Sequence, residues 1–349
     1  MDKKRRVALI TGVTGQDGSY LAELLVEKGY LVRGIVRRAS HPNTKRIDHL
    51  LAKHRDDHDP YCPFVLTYAD LTDSQSIRNA LEKFKPDEIY NLGAQSHVGI
   101  SFENAESTIN INALGTLRIL ESLRQMKLHC KFYQASSSEM FGRSPPPQSE
   151  TTTFMPQSPY GVSKVAAFHL TRLYREAYGL FAANGILFNH ESPRRGLNFV
   201  TKKITQEISQ IIAGERAKII LGNLDAKRDW GFSKEYVEAM WLILQHEKAD
   251  DFVIATEETH TVREFLEEAF SLLEVDYRKF IETSDRYLRP AEVPALLGNS
   301  LKAKTILGWE SKTKFKDLVR MMVEEDLKEK GFTLEQARLK AQELQRLRP

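Results

Sequence analysis

The chain has 349 residues, 41% of them hydrophobic and 28% charged, with a formal net charge of +3. That length can bury a full core, and the near-balanced charge gives no basis for a nucleic-acid or membrane-surface partner. No apolar run approaches the roughly 18 residues of a membrane span and no signal-peptide pattern opens the chain, while Cys62 and Cys130 lack redox-pair or metal-ligand spacing and read as reduced thiols of a cytoplasmic protein.

The first predicted element is the apolar run Val7-Ala8-Leu9-Ile10, a strand, and a helix follows through Leu21, Leu24 and Leu25. Between them lies Gly12-Val13-Thr14-Gly15-Gln16-Asp17-Gly18. Glycines at a strand end let the backbone approach a pyrophosphate, and free N–H groups at the helix start favour its charge. The spacing is G-x-x-G-x-x-G. In this strand-turn-helix context Gly12, Thr14, Gly15, Gln16, Asp17 and Gly18 are assigned to a dinucleotide. Gly29 stops the helix, and residues 31–36 form the second strand. An NAD site usually carries an acidic residue at the end of that strand. Here Arg37-Arg38 stands there, able to fork onto a 2′-phosphate, which favours NADP over the alternative of a solvated basic corner.

Further strands are expected near 64–66, 88–92, 132–134 and 185–188, each separated by helical stretches. Alternation of this kind makes an α/β fold, a Rossmann-type doubly wound parallel sheet with helices on both faces and ligands beyond the carboxyl ends of the strands. Asp70-Leu71 could then hold the adenine and Leu92-Gly93-Ala94 could run beneath the cofactor, though each reads equally well as turn structure. Residues 1–188 are accordingly expected to form the cofactor domain, with a strand near 251–256 returning to it. Residues 189–330 are expected to be mostly a smaller, partly discontinuous α/β substrate lobe with helices near 201–213 and 262–273. Residues 331–349 remain as a helical tail. It opens on a Thr333-Leu334-Glu335-Gln336 capping box, and the stripe Leu334, Ala337, Ala341 and Leu344 suits a surface or oligomer-contact helix.

Tyr160 and Lys164 are one helical turn apart, downstream of Ser136-Ser137-Ser138-Glu139. An ammonium beside a phenol favours the phenolate, so Tyr160 can serve as a base near neutrality. Alone, this spacing is common and reads as a packed tyrosine and a solvated lysine. Glu139 alone reads as a solvated turn carboxylate.

The strings Gly15-Gln16-Asp17-Gly18-Ser19-Tyr20-Leu21, Tyr90-Asn91-Leu92-Gly93-Ala94-Gln95-Ser96-His97-Val98 and Tyr160-x-x-x-Lys164 resemble the extended short-chain dehydrogenase/reductase superfamily. More narrowly, the stretch from Asn184 to Gly196, the stretch from Gly222 to Gly231 and Arg289-Pro290-Ala291-Glu292-Val293 resemble the GDP-mannose 4,6-dehydratase family, and the likeness runs from about residue 5 to residue 326. The resemblance implies a hydro-lyase that turns GDP-mannose into its 4-keto-6-deoxy form through bound NADP, with Ser137, Glu139, Tyr160 and Lys164 catalytic. It implies cofactor contacts from Leu92, Ala94, Ser96, Asn189, His190 and Arg195, besides Tyr160, Lys164 and the residues already assigned. Substrate contacts are implied for Ser96, Glu139, Asn189, Lys203, Arg228, Arg289 and Glu292. It also implies a homotetramer, or a dimer, in which the basic loop 37–46 reaches a neighbouring subunit.

In that chemistry Tyr160 takes the C4 hydroxyl proton, Ser137 polarises the C4 oxygen, and Glu139 removes the C5 proton and helps water leave C6. Ser137 stands where the family commonly has threonine, which keeps the hydroxyl. Phe102-Glu103-Asn104-Ala105 and Met140-Phe141 also depart from the usual run and bear on the sugar pocket. A dehydratase of another GDP-sugar, such as a GDP-manno-heptose, is the nearest alternative; an epimerase or reductase, and a non-catalytic nucleotide sensor, are more distant ones. His97, His190 and His260 lack metal-ligand spacing, so no metal is expected.

Overall fold

The structure, a computed structural model, describes residues 5–41, 43–54, 59, 61–287 and 290–347. The chain begins with β1 (Val7–Thr11), α1 (Gln16–Glu27), β2 (Leu31–Val36), α2 (Asp48–Lys53), β3 (Phe64–Tyr68) and α3 (Ser74–Phe84). Then come β4 (Glu88–Asn91), α4 (Val98–Glu103), α5 (Ala105–Ile109), a π-helical turn at Asn110–Leu114 and α6 (Gly115–Gln125). β5 (Lys131–Ser137), a 3-10 turn at Ser138–Met140, α7 (Pro159–Tyr178) and β6 (Ala182–Leu187) follow. The second half contains β7 (Asn189–Glu191), α8 (Val200–Ile212), β8 (Ile219–Leu221), β9 (Lys227–Arg228), β10 (Trp230–Phe232) and α9 (Ser233–Gln245). It ends with β11 (Asp251–Ile254), β12 (His260–Thr261), α10 (Val262–Ser271), β13 (Ile281–Thr283), α11 (Phe315–Glu329) and α12 (Leu334–Arg346).

Among the described residues, seven strands form one parallel sheet in the order β11-β6-β5-β4-β1-β2-β3. Its strands are apolar on both faces because both are covered, the pattern a parallel sheet requires. Leu21, Leu25, Tyr236 and Met240 close one face, and Ile77, Leu81, Ile119 and Leu123 close the other. The strand order reverses between β1 and β4, and a cleft opens there beyond the carboxyl ends. β11 comes late in the chain yet pairs with β6 at the sheet edge, where Arg175 grips Asp251 with two 2.9 Å bonds.

The chain leaves the sheet after Leu187 and enters β7 at once. β7 pairs in parallel with β10, β8 with β13, and β9 runs antiparallel to β12, each a sheet of two strands. A separate apolar cluster of α8, α10 and α11 residues, including Ile208, Phe265, Leu318 and Met322, supports these short strands. The C-terminal helix lies on the surface, with its apolar stripe turned inward. Thr333 and Gln336 do make the capping box, but Ala337 and Ala341 are buried in this same cluster with Leu334 and Leu344 packed against it. The apolar stripe is therefore used within its own subunit. No helix among the described residues is long and apolar enough to cross a membrane.

Candidate active site

β1 is followed by Gly12 with φ +71°, a left-handed conformation that favours glycine, and a Cβ there would lie 2.8 Å from the Gly93 nitrogen. The loops after β1 and β4 can touch only because both are bare. A Cβ on Gly18 would sit 2.3 Å from the Gly12 oxygen, so the first turn of α1 is pressed against the loop that precedes it. The N–H groups at the start of α1 thereby face the cleft without side chains in front of them, the cradle a pyrophosphate needs. The cleft is about 1260 Å³, and Gly12, Thr14, Gly15, Gln16, Asp17, Gly18, Arg37, Asp70, Leu71, Leu92, Ala94 and Ser96 line it. Arg38 is exposed and lies outside that lining. Volume and bare turn together fit a dinucleotide.

α7 starts where it does because Ser158 caps it, its hydroxyl accepting from the Gly161 nitrogen at 3.0 Å, with Pro159 in the first turn. That start places Tyr160 and Lys164 on the turns nearest the cleft, both buried. β5 delivers Ser137 to the same place. The Ser137 hydroxyl accepts from the Glu139 nitrogen at 3.2 Å, which fixes the short turn carrying the Glu139 carboxylate. Ser137, Glu139, Tyr160 and Lys164 thus converge from β5 and α7 on one stretch of cleft wall.

The electrostatics differ from the simple tyrosine–lysine expectation. Lys164 Nζ lies 5.8 Å from the Tyr160 ring centroid and donates to the Ala135 carbonyl at 2.8 Å. Burial pushes Lys164 down to about 8, against the pull of Asp17. Burial also raises Tyr160, to about 12; the Ser137 hydrogen bond opposes the rise and the Glu139 charge adds to it. Among the protein's own groups, Ser137 rather than Lys164 is the immediate partner that favours the phenolate. Lys164 is held ready as a buried cation of reduced basicity.

The opposite wall comes from the second half. Asn189, His190, Arg195, Lys203, Arg228 and Glu292 all line the cleft, whereas Arg289 lies outside the described residues. They are less free than their assignment as ligands suggests. Arg228 is buried, donating to the Lys227 and Val293 carbonyls at 2.9 Å and to Glu292 at 3.2 Å. Lys203 donates to the Ile220 carbonyl at 2.6 Å and sits 3.9 Å over the Tyr287 ring. Asp17 and His190 face each other at 2.8 Å. Asn189 Oδ1, by contrast, is buried with no hydrogen-bond partner among the described residues, while the residue itself lines the cleft. Next to Arg228, the buried Asp229 accepts from the Thr256, Glu257 and Gly298 nitrogens and from the Thr256 hydroxyl. Burial nonetheless raises it to about 6.

Two contributors escape a reading of the sequence. Arg118 on α6 donates to the Leu71 carbonyl at 2.9 Å and to Asn110, bracing the loop assigned to the adenine. Arg46, on the loop expected to reach a neighbouring subunit, lines this cleft and contacts its own chain, with Nε on the Arg194 carbonyl at 2.7 Å and Nη1 on the Thr14 carbonyl at 3.4 Å. No local pattern marks either residue. Among the described residues no cluster of three or more His, Cys, Asp or Glu side chains is placed to hold a metal ion.

A doubly wound parallel sheet with a glycine cradle at its strand-order reversal defines a Rossmann-class nucleotide-binding protein. Residues 9–322 match the family model described as GDP-mannose 4,6 dehydratase. The chain is 56% identical over 328 residues to GDP-mannose 4,6 dehydratase 2 of Arabidopsis thaliana, covering 93% of this chain and 87% of the relative. It is 51% identical over 347 residues to GDP-mannose 4,6 dehydratase of Homo sapiens, covering 94% and 93%. In fold it superposes on dTDP-glucose 4,6-dehydratase of Bacillus anthracis, solved with NAD, with a TM-score of 0.79 at 20% identity, covering 95% and 99%. The chain belongs to the GDP-mannose 4,6-dehydratase family.

Proposed function

We propose that this chain is a GDP-mannose 4,6-dehydratase, forming GDP-4-keto-6-deoxymannose and water with no net change in its NADP. The observation that carries this reading is the convergence of the Glu139 carboxylate with Ser137, Tyr160 and Lys164 on one cleft wall, in a chain of this family. A plain dehydrogenase needs the last three; the removal of water needs an additional acid–base group.

Bound NADP supplies an acceptor for the hydride that leaves C4 of the hexose and is returned at C6. Gly12, Gly15 and Gly18 would admit its pyrophosphate, and Arg37 would pair with its 2′-phosphate. Tyr160 takes the C4 hydroxyl proton. The Ser137 hydroxyl is the immediate partner that favours the Tyr160 phenolate, and once Tyr160 carries the C4 proton that hydroxyl turns to the C4 oxygen; the Lys164 ammonium adds a positive charge at longer range. Once C4 is a ketone, the C5 proton is acidic and Glu139 removes it. The resulting carboxylic acid then protonates the departing C6 hydroxyl, which leaves as water, and as hydride returns at C6 an exchangeable proton, balancing the one that Tyr160 took, is delivered to C5. Asn189, Lys203, Arg228 and Glu292 would hold the sugar nucleotide on the opposite wall.

The remaining organisation belongs to the same proposal. The cofactor site is built by residues 1–188 with the strand near 251–256, and the substrate site mostly by residues 189–330. The assembly is a homotetramer with the exposed part of loop 37–46 at a contact. Two buried free thiols, Cys62 and Cys130, fit a reducing, cytoplasmic setting.

The test is mass-resolved product analysis after incubation with GDP-mannose and substoichiometric NADP. Loss of one water per turnover without accumulation of NADPH is expected. Accumulated NADPH would make the protein a dehydrogenase, and no turnover would move the substrate to another GDP-sugar.

A further inference from the structure

The glycine turn and β7 are joined by a buried ion pair whose protonation the geometry dictates. His190 directs Nδ1 to the Phe188 carbonyl at 2.6 Å and Nε2 to the Asp17 carboxylate at 2.8 Å. A carbonyl and a carboxylate only accept, so both ring nitrogens carry hydrogen and the ring is an imidazolium. Burial works against that charge, but Asp17 outweighs it and His190 is raised. Burial likewise opposes the Asp17 carboxylate, and His190 and Ser233 hold it well below the usual range. Arg195 and Lys164 are further charges near the pair, and the Tyr236 ring stacks on His190 at 4.8 Å.

Both carboxylate oxygens of Asp17 are engaged. Oδ2 takes the His190 bond, while Oδ1 accepts from the Ser233 hydroxyl at 2.7 Å and Gln16 Nε2 at 3.0 Å. A second strut runs alongside. Gln16 Nε2 donates to the His190 carbonyl at 3.0 Å, and Gln16 Oε1 accepts from the Ser192 hydroxyl at 2.8 Å. β7 is therefore held by β10 along one side and by the first turn of α1 along the other. Its first residue is Asn189, which lines the cleft and whose Oδ1 is buried with no hydrogen-bond partner among the described residues.

We propose that Asp17 and His190 are positioning residues that hold Asn189 against the sugar nucleotide, and that neither side chain is a ligand of the cofactor. The naming of that ligand rests on the function proposed above. The pair spends its hydrogen-bonding capacity on β7, Ser233 and Gln16, so cutting it releases the strand that begins at Asn189. The cofactor keeps the bare amides of the glycine turn, which need no side chain from Asp17. The effect of the pair thus crosses the cleft, from a residue in the cofactor turn to affinity on the substrate side.

The test uses the full chain loaded with NADPH, whose reduced ring blocks turnover, so GDP-mannose binding is measured at equilibrium by calorimetry. NADPH affinity is measured separately. Asp17→Ala and His190→Ala are each expected to weaken GDP-mannose by roughly ten- to a hundredfold, with NADPH affinity changed by less than about threefold. The double variant should be no weaker than the worse single one, because both remove the same link. Asp17→Asn, which keeps an acceptor for the ring N–H, should recover most of the affinity; a merely structural lesion would not distinguish Asn from Ala. Weakened NADPH binding with GDP-mannose unaffected would overturn the proposal and make the pair cofactor ligands. Additive losses, or an Asn variant as poor as Ala, would overturn it too. Failure of the unaltered protein to bind GDP-mannose would instead sink the proposed substrate, and the NADPH affinities of the variants would still decide whether the pair serves the cofactor.

Discussion

On the cofactor wall, the groups that face the cleft sit on loops leaving β1, β2, β3 and β4, neighbouring strands of one parallel sheet. On the substrate wall they sit on strands of two or three residues, such as β7 and β9, whose partners are equally short. Backbone ladders hold the first wall, so a side chain other than Asp17, which is tied to β7, can be removed there without moving its neighbours. Buried side-chain bonds hold the second: Arg228 to Glu292 and Val293, Lys203 to Ile220, and Asp229 to three backbone nitrogens. A substitution on the cofactor wall should therefore remove chemistry without costing stability, whereas one on the substrate wall should cost both.

Tyr160→Phe gives the largest effect that the comparison calls for. Loss of the acid–base group is expected to lower kcat by about 10³-fold or more, while NADPH affinity and thermal unfolding stay close to the parent values. A large drop in unfolding temperature would break the contrast. Arg228→Met is the matching experiment across the cleft. It removes the Arg228 bonds to Glu292, Lys227 and Val293 and takes a buried cation out of the wall, so the fold should lose about 3 kcal/mol and KM for the sugar nucleotide should rise together with it. Denaturant unfolding and steady-state kinetics on one preparation check both; unchanged stability would mean that the substrate wall is held by its backbone after all.

Lys164→Met sharpens the comparison through pH. The unfolded chain keeps this proton to its ordinary value of 10.5, whereas the folded protein releases it near 8. Between these values the unfolded state binds more protons, so stability rises with pH across that window. Methionine should flatten this rise and add roughly 2 to 3 kcal/mol near neutrality, while abolishing activity. Unfolding followed from pH 7 to 10.5 reads both outcomes. Arg37→Ala should raise the NADP dissociation constant by about ten- to a hundredfold and leave NAD nearly unchanged; equal losses for the two cofactors would remove the 2′-phosphate role. The smallest effect is expected at the C-terminal helix, where Thr333→Ala breaks the capping box at a cost of about 1 kcal/mol with kinetics unaltered.

The same contrast decides how much could be read from the residues alone. The strands of the main sheet announce themselves by apolar runs between helical stretches, and the glycine turn by its place after the first of them. β7 and β9 are too short for any period to show. Asp17 reads as a cofactor residue because it stands among the glycines; its partner is 173 positions away, and only the fold brings His190 to it. Arg118 and Arg46 act through carbonyls of distant loops, a role that any surface arginine could have. The stripe on α12 was legible as an apolar face, but not which surface would cover it. Periodicity reports which way a face points, and long-range side-chain pairs decide what it meets.

The central claim, internal hydrogen transfer within one closed cycle, is tested most directly with GDP-mannose carrying deuterium at C4. After complete conversion in ordinary water with substoichiometric NADP, the deuterium is expected on C6 of the 4-keto-6-deoxy product, with one solvent hydrogen gained at C5. Deuterium held in a stoichiometric pool of reduced cofactor, or lost to solvent, would contradict the account and separate oxidation at C4 from the removal of water.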